Sequence, residues 1–399
     1  MGVLAITAGS SVFAEDKGPT VTFNGWSDNF LYVSNANNPQ NDVNTAKNDK
    51  ATSIGFQSTE SLKVNAKITD TVSGKINIFM HPDGNGASGI VVREGYMSWA
   101  FNPDWTFTAG KFINHIGWLS PEPTGLYTPN ASLIGYQSGV VAGNAVLYGY
   151  ANDVTGINFA YAAKESPLSG SIHLVNGYFN GQDAVGQGPV SSFGAGNTTK
   201  PVTRENTDLG YGLDLTYALP KDMGNIDFDF AYDPHGGANG PIAGGPPVVA
   251  GLGGDVLLLG LNATLKPAEG WLIGAEVIYT QTGKAKDDTK TTIDDSEFTT
   301  TQGMILVNYA LPKGTASIPV SLTALGEIWQ DKFKTAGVPA GAGTSPGARE
   351  IAIAVLTNPT NSANFGLNAE LAFTSFDSKL ANTDKVNATI FSVEALIAF

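Results

Sequence analysis

From Leu209 to Leu219 every second residue is large and apolar: Leu209, Tyr211, Leu213, Leu215, Tyr217 and Leu219, separated by Gly210, Gly212, Asp214, Thr216 and Ala218. After ALPKDMGN the pattern resumes, with Ile226, Phe228, Phe230 and Tyr232 set against Asp227, Asp229, Ala231 and Asp233. A period of two puts each set on its own face of a strand; a helix would scatter the aspartates among the leucines. Each arm is roughly 9–11 residues, the length a tilted strand needs to cross a hydrocarbon layer. Soluble antiparallel sheets contain such hairpins too. Recurrence along the chain decides between the two.

The alternation recurs. Strands are expected over 19–34, 60–69, 75–80, 90–101, 104–112, 155–163, 171–178, 209–219, 226–233, 255–266, 271–281, 299–311, 318–329, 350–357, 363–373 and 386–399. Short turns and longer polar connections alternate between them without a break, the rhythm of an outer-membrane barrel with tight turns on one side and extended loops on the other. An even strand count brings both termini to the turn side. The phrase ALPK stands twice at such turns, at Ala218–Lys221 and Ala310–Lys313. The expected fold is therefore all-β: a membrane-spanning antiparallel up-and-down β-barrel of about 16 strands. Phe101, Trp105, Tyr161, Tyr217, Phe228, Trp271, Tyr309 and Phe365 fall on the apolar phase at turn-side ends, where aromatic rings favour the headgroup level.

Regular alternation fails between 113 and 153, and unstructured connections of that length are uncommon unless functional. This segment is the expected inward-folded constriction loop, with Lys111, His115 and Glu122 near its start. AVLYGY within it stays in the loop, because a spanning strand there would put the loop at 180–206 on the wrong side. At the N-terminus, residues 1–14 are expected to be a signal-peptide remnant cut after Ala14, leaving 15–399 as the barrel. No run of 18 or more apolar residues exists, so no membrane helix is expected. The net charge of −14 with dispersed Lys and Arg argues against nucleic-acid binding. Absence of cysteine fits an exported chain.

If the apolar phase meets lipid, the alternate phase surrounds water. That phase holds an acidic wall of Asp208, Asp214, Asp227, Asp229, Asp233, Glu276, Glu327, Glu350, Glu370 and Glu394, and a basic patch of Lys63, Lys67 and Lys75. A transverse field favouring hydrated cations follows as one reading; merely solvated lumen residues is the other.

At the C-terminus Phe391, Val393, Ala395, Ile397 and Phe399 share one face, with Phe as the last residue. This strand resembles the assembly signal of bacterial outer-membrane barrels. REGYMSWAFNPDWTFTAGKFINHIGW (Arg93–Trp118) resembles the strand–turn–strand and "GKF…IG" segment that leads into the constriction region of porin-like families. HLVNGYFNG (His173–Gly181) is similar to the "VNG" strand end of the beta-barrel porin-2 family. The resemblance implies a porin of the outer membrane, passing small hydrophilic solutes and ions passively, in contact with outer-membrane lipids and the assembly machinery. The arginine ladder of general porins has no clear equivalent here. A homotrimer is open, without an interface signature.

No Walker-type GxxxxGK[ST], HExxH or GxSxG is present. His81, His115, His173 and His235 lie far apart with no ligand spacing, so no metal or cofactor is expected. Ser171 and His173 share a strand face but lack an orienting third group and an oxyanion site, so no enzyme is expected. Two classes remain: a diffusion porin, or a non-conducting structural or adhesive barrel that displays its loops.

Overall fold

The computed structural model describes residues 18–38, 49–80, 90–114, 116–118, 125, 127–129, 153–178, 209–234, 255–283, 285–286, 292–294, 297–334, 347–360, 364–377 and 386–399. Sixteen strands form one closed antiparallel barrel. They are β1 (Thr20–Asn38), β2 (Asp49–Lys67), β3 (Val72–Met80), β4 (Ile90–Ala100), β5 (Trp105–Ile113), β6 (Asp153–Ala162), β7 (Leu168–Val175), β8 (Gly210–Ala218), β9 (Gly224–Asp233), β10 (Val256–Leu265), β11 (Trp271–Thr282), β14 (Glu297–Ala310), β15 (Val320–Lys334), β16 (Gly347–Thr357), β17 (Phe365–Asp377) and β18 (Val386–Ala398). Each pairs with its neighbours in sequence, and β1 closes the ring on β18, with Trp26 opposite Ala398 and Val33 opposite Phe391. β12 (Ala285–Lys286) and β13 (Thr292–Asp294) form a separate ribbon within the connection from β11 to β14, which the charged sequence there did not suggest.

On most strands the apolar phase faces outward. Phe228, Tyr217, Ile172, Leu261, Val277, Ile305, Ile351, Ile353 and Phe373 are exposed on the outer surface, while Asp229, Asp233, Glu276 and Glu370 are buried on the inner one. Only a membrane makes such an apolar exterior favourable; in water, exposed apolar surface of this extent would drive association. At the turn side, Trp105 packs tilted against Tyr161 with ring centroids 5.0 Å apart, and Trp271 against Tyr309 at 4.6 Å, both pairs on neighbouring strands.

Short turns are built from local chemistry. Asn102 accepts the backbone N–H of Asp104 at 2.9 Å and of Trp105 at 3.0 Å, so its amide replaces a turn hydrogen bond. The β8–β9 turn carries Lys221 and Asp222 in the left-handed region, with φ of 58° and 56°. Thr69 Oγ1 accepts the Val72 N–H at 3.0 Å in the β2–β3 turn.

Several strands run further toward the loop side than expected, and two boundaries have a structural cause. β2 begins at Asp49, well before Glu60, because its polar first half pairs residue for residue with the outer half of β1. β7 ends at Val175, and Tyr178 turns inward instead of extending the strand. The inner face also departs from a uniformly polar one. Leu258, Ile278, Met304, Leu306 and Leu325 are buried in one apolar cluster with Phe112, Ile116 and Tyr178. Inward apolar residues appear where chain segments pack inside the barrel, so the inward phase there answers to packing rather than to water.

Candidate functional site: the barrel interior

The chain after β5 turns into the barrel. Ile116 is buried in the interior apolar cluster. The Gly117 N–H donates to Asp229 Oδ2 on β9 at 3.1 Å, and the Trp118 N–H donates to Glu276 Oε1 on β11 at 3.0 Å. Trp118 Nε1 donates to Thr264 Oγ1 on β10 at 2.6 Å. The Trp118 ring lies directly over Gly274, where an added Cβ would fall 2.4 Å from it, and stacks on Tyr127 with centroids 5.8 Å apart. A segment leaving β5 is thus held on the wall formed by β9, β10 and β11. Burial pushes the Tyr127 phenol above its ordinary value.

Three of the expected acidic residues, Asp229, Glu276 and Asp233, therefore serve as acceptors for backbone N–H groups. Such groups need partners once buried, and a carboxyl oxygen is an acceptor whether or not the group is ionised. Asp229 also accepts from Asn262 Nδ2 at 3.2 Å. Asp233 Oδ2 accepts the Tyr178 N–H at 3.0 Å. Tyr178 lies over Gly210 and Gly212; a Cβ on Gly212 would fall 1.8 Å from its hydroxyl oxygen. That hydroxyl has no hydrogen-bond partner among the described residues, and burial raises its pKa well above the ordinary value.

The remaining acidic positions follow the inner face toward the seam. Asp227 accepts from Asn225 at 2.5 Å. Glu327 stands opposite Glu350, which accepts from Thr374 at 2.9 Å. Glu370 is buried opposite Ser392. Glu394 accepts from Asn368 at 2.6 Å and shares a side-chain hydrogen bond with Asp28 of β1. Asp208, His115 and Glu122 lie outside the described residues, as do residues 1–14, AVLYGY and most of 113–153.

The basic patch is less bare than its sequence suggests. Lys75 forms an ion pair with Glu94 at 2.6 Å, and Glu94 also accepts from Asn77, which accepts from Ser61. Lys63 stands opposite Asn24 and Asn77 on the same inner face. Lys67 sits at the rim and pairs with Asp70 at 2.5 Å, both exposed; the ammonium holds the Asp70 carboxyl below its ordinary value. Lys111 needs a correction. It lies within β5, not in the loop, opposite Gly95 and Thr155, on the outward phase of Phe107 and Ala109, because Phe112 beside it points inward.

Several inward residues escaped the sequence reading. The register slips between Asn77 and Ile78 opposite β4, and Arg93 at that irregularity is buried 5.3 Å over the Phe79 ring, with Trp26 edge-on to the same ring. A bulge re-aims a side chain that strict alternation would send outward. Asp28 was hidden because the inner phase of β1 also holds Trp26, Phe30 and Tyr32, while its outer phase holds Ser27 and Asn29. The inverted polarity of that strand was the available signal.

Ser171, His173 and Asp214 do meet: Ser171 Oγ lies 2.5 Å from His173 Nε2 and donates to Asp214 Oδ2 at 2.9 Å, and Asp214 Oδ2 lies 2.7 Å from the same Nε2. A hydrolytic triad needs the carboxylate on the other imidazole nitrogen, so that the ring can take the serine proton and be stabilised from behind. Here both groups crowd one nitrogen. The cluster is a closed hydrogen-bonded triangle. Among the described residues no group of three or more His, Cys, Asp or Glu is arranged to hold a metal.

No family model matches the chain, and no curated protein matches it. Among solved structures it is similar to the outer membrane channel DcaP of Acinetobacter baumannii, with a TM-score of 0.58 and 13% identity over 97% of this chain and 99% of that one. It is similar to OmpT, an outer membrane protein of Vibrio cholerae folded in vitro and solved in a trimer form, with a TM-score of 0.53 and 12% identity over 96% and 100%. An anion-selective porin from Comamonas acidovorans aligns with a TM-score of 0.52 and 12% identity over 96% and 100%. At these identities the likeness is one of fold: this chain has the closed barrel of the outer-membrane porins, matched along nearly its whole length.

Proposed function

We propose that the chain is an outer-membrane porin, a water-filled channel for passive diffusion of small hydrophilic solutes and ions, with a preference for cations. The observation that carries it is the docking of Gly117 and Trp118 on Asp229 and Glu276, which lays a segment inside a barrel whose inner face carries buried carboxylates from β9 round to β1. A 16-stranded barrel is wide enough to hold either water or a plug. A segment pinned along one wall narrows the bore and leaves the rest to solvent.

Cation preference rests on charge. Glu94 offsets Lys75, whereas the carboxylates from β8 round to β1 outnumber the lysines and Arg93 on β2–β4. The finer likeness to the beta-barrel porin-2 family, engagement of the assembly machinery through Phe391, Val393, Ile397 and Phe399 on the outer face of β18, and assembly into a homotrimer belong to the same reading. Single-channel recording in a salt gradient tests it: step conductance with a reversal potential on the cation side is expected, and a clear anion preference overturns the selectivity.

A second reading, a non-conducting structural or adhesive barrel, draws on the interior cluster of Phe112, Ile116, Tyr178, Leu258 and Leu306. Liposome swelling with small sugars separates the two. Swelling supports the porin; intact, folded barrels that give none support the closed barrel.

A further inference from the structure

We propose that the turn-side mouth of the barrel holds a binding site for zwitterions with an apolar body, the chemistry of an apolar amino acid. This rests on the reading of the chain as a channel and names a solute class for it.

The site is a cavity of about 750 Å³ on the inner face, beneath the β14–β15 connection (Leu311–Pro319) and over the turn-side ends of β15 to β18. That connection is the longest on the turn side, and it is held as an arch. Pro312 and Pro319 fix the backbone near its two ends. The Leu311 N–H donates to the Val320 carbonyl at 2.9 Å, and the Thr315 N–H to the Pro312 carbonyl at 3.1 Å. The Asn358 N–H donates to the Pro319 carbonyl at 3.1 Å and ties the arch to the end of β16. Small-molecule sites occupy roughly 300–1,000 Å³, and this cavity is of that size.

Its chemistry changes from one end to the other. Among the described residues that line it, Lys313 alone is charged. Leu311, Ile318, Leu356 and Leu396 supply apolar surface; Ser317, Ser321 and Asn368 supply polar groups. Just beyond the lining, the next inward residue on β17 after Asn368 is Glu370, and the next on β18 after Leu396 is Glu394. The Asn368 amide joins the two zones: its Oδ1 accepts the Thr357 N–H at 3.1 Å, and its Nδ2 donates to Glu394 at 2.6 Å. From β14 to β18 the inner phase carries Glu327, Glu350, Glu370 and Glu394 and no Lys or Arg. The cavity thus has a cation at its outer end, carboxylates behind its inner end and an apolar wall between.

Such an arrangement discriminates by charge. A simple cation is drawn to the inner end and repelled by Lys313; a simple anion meets the reverse. A molecule with both charges satisfies both, its ammonium toward Glu370 and Glu394 and its carboxylate on Lys313 and Ser317. The apolar wall favours an aliphatic side chain between them.

Equilibrium dialysis of the full chain in mild detergent against radiolabelled L-leucine reads the site without relying on conduction. Saturable binding is expected. Isoamylamine, isocaproate and glycine lack the carboxylate, the ammonium and the apolar body in turn, and each should compete at least about tenfold less well. Lys313→Gln and Glu370→Gln should each weaken L-leucine binding by about the same factor. Lys221, in the same ALPK phrase at the shorter β8–β9 turn, lies outside the cavity, so Lys221→Gln should bind as the wild type does. Heat-modifiable gel mobility confirms that each variant has folded. L-Leucine held no better than isoamylamine and isocaproate, or held equally by Lys313→Gln, overturns the site. A wild type that conducts in planar bilayers and does not bind L-leucine overturns the site and leaves the channel standing. One that binds L-leucine and does not conduct keeps the site and strikes the channel reading instead.

Discussion

The main chain of Phe399 is paired with that of Gly25: the Gly25 N–H donates to the Phe399 carbonyl at 2.8 Å, and the Phe399 N–H donates to the Gly25 carbonyl at 3.0 Å. The last residue of the chain thus completes the ladder that joins β18 to β1. A Cβ on Gly25 would fall 2.1 Å from the Ser61 carbonyl oxygen and 2.9 Å from the Phe399 ring. Gly25→Ala is expected to force the seam apart locally, at a cost of about 1–3 kcal/mol for overpacking. The measurement is the temperature at which the folded band converts to the unfolded one on a gel. Removal of Phe399 should lower the same temperature, since it takes away both hydrogen bonds.

Asp229 and Glu276 predict how the inner segment is released. Replacing either by Ala leaves a half-buried backbone N–H, of Gly117 or Trp118, without its acceptor, a loss of about 1 kcal/mol each. The double variant should free the segment from β9 and β11 while the barrel persists. Single-channel conductance is expected to rise, with larger current fluctuations as the segment moves. Unchanged conductance in a folded double variant would show that these two carboxylates do not set the bore.

Tyr178 gives a prediction in the alkaline range. Its hydroxyl is buried with no partner among the described residues, and burial, with Asp214 and Asp233 nearby, raises its pKa. In the unfolded chain the phenol ionises near its ordinary value of 10.0; in the folded barrel it stays neutral above that pH. The stability it contributes is therefore complete below pH 10 and is lost as the pH climbs beyond it. Tyr178→Phe keeps the ring over Gly210 and Gly212 and removes the hydroxyl. It should be at least as stable near neutrality, by up to about 1 kcal/mol, and should unfold at higher pH than the wild type. Alkaline denaturation followed by circular dichroism checks both.

What could be read in advance was whatever a period of two encodes. Asp214, Asp227, Asp229 and Glu276 fell on the inner face because Leu213, Phe228, Phe230 and Val277 had to fall on the outer one, and tight turns such as Asn102-Pro103 fixed where each strand reversed. Three things lay beyond that signal. The outer half of β2 is polar, so its pairing with β1 had no hydrophobic signature. Arg93 was displaced by a register slip that pairwise alternation does not express. The contacts of Gly117 and Trp118 join residues 112 and 158 positions apart, and those carboxylates gave no sign of which backbone groups would reach them. Lys111 was assigned by its proximity to the loop, whereas the inward turn of Phe112 decides its face.

The Lys75–Glu94 ion pair makes the last prediction, about selectivity. Its two charges are 2.6 Å apart on the inner face, with Glu94 buried and Lys75 mostly so; seen from the bore they cancel. Glu94→Gln retains an acceptor and donor for Asn77 but leaves Lys75 uncompensated beside Lys63 and Arg93, so the β2–β4 wall becomes more positive. The reversal potential in a salt gradient should move toward the anion. Lys75→Gln leaves Glu94 uncompensated and should move it the other way. In Lys75→Gln/Glu94→Gln the net charge of the wall is that of the wild type, so the reversal potential should return close to its original value even though both side chains have changed. A double variant that stays displaced would mean that this wall acts on ions through the shape of its Ser61–Asn77–Glu94 network rather than through its charge.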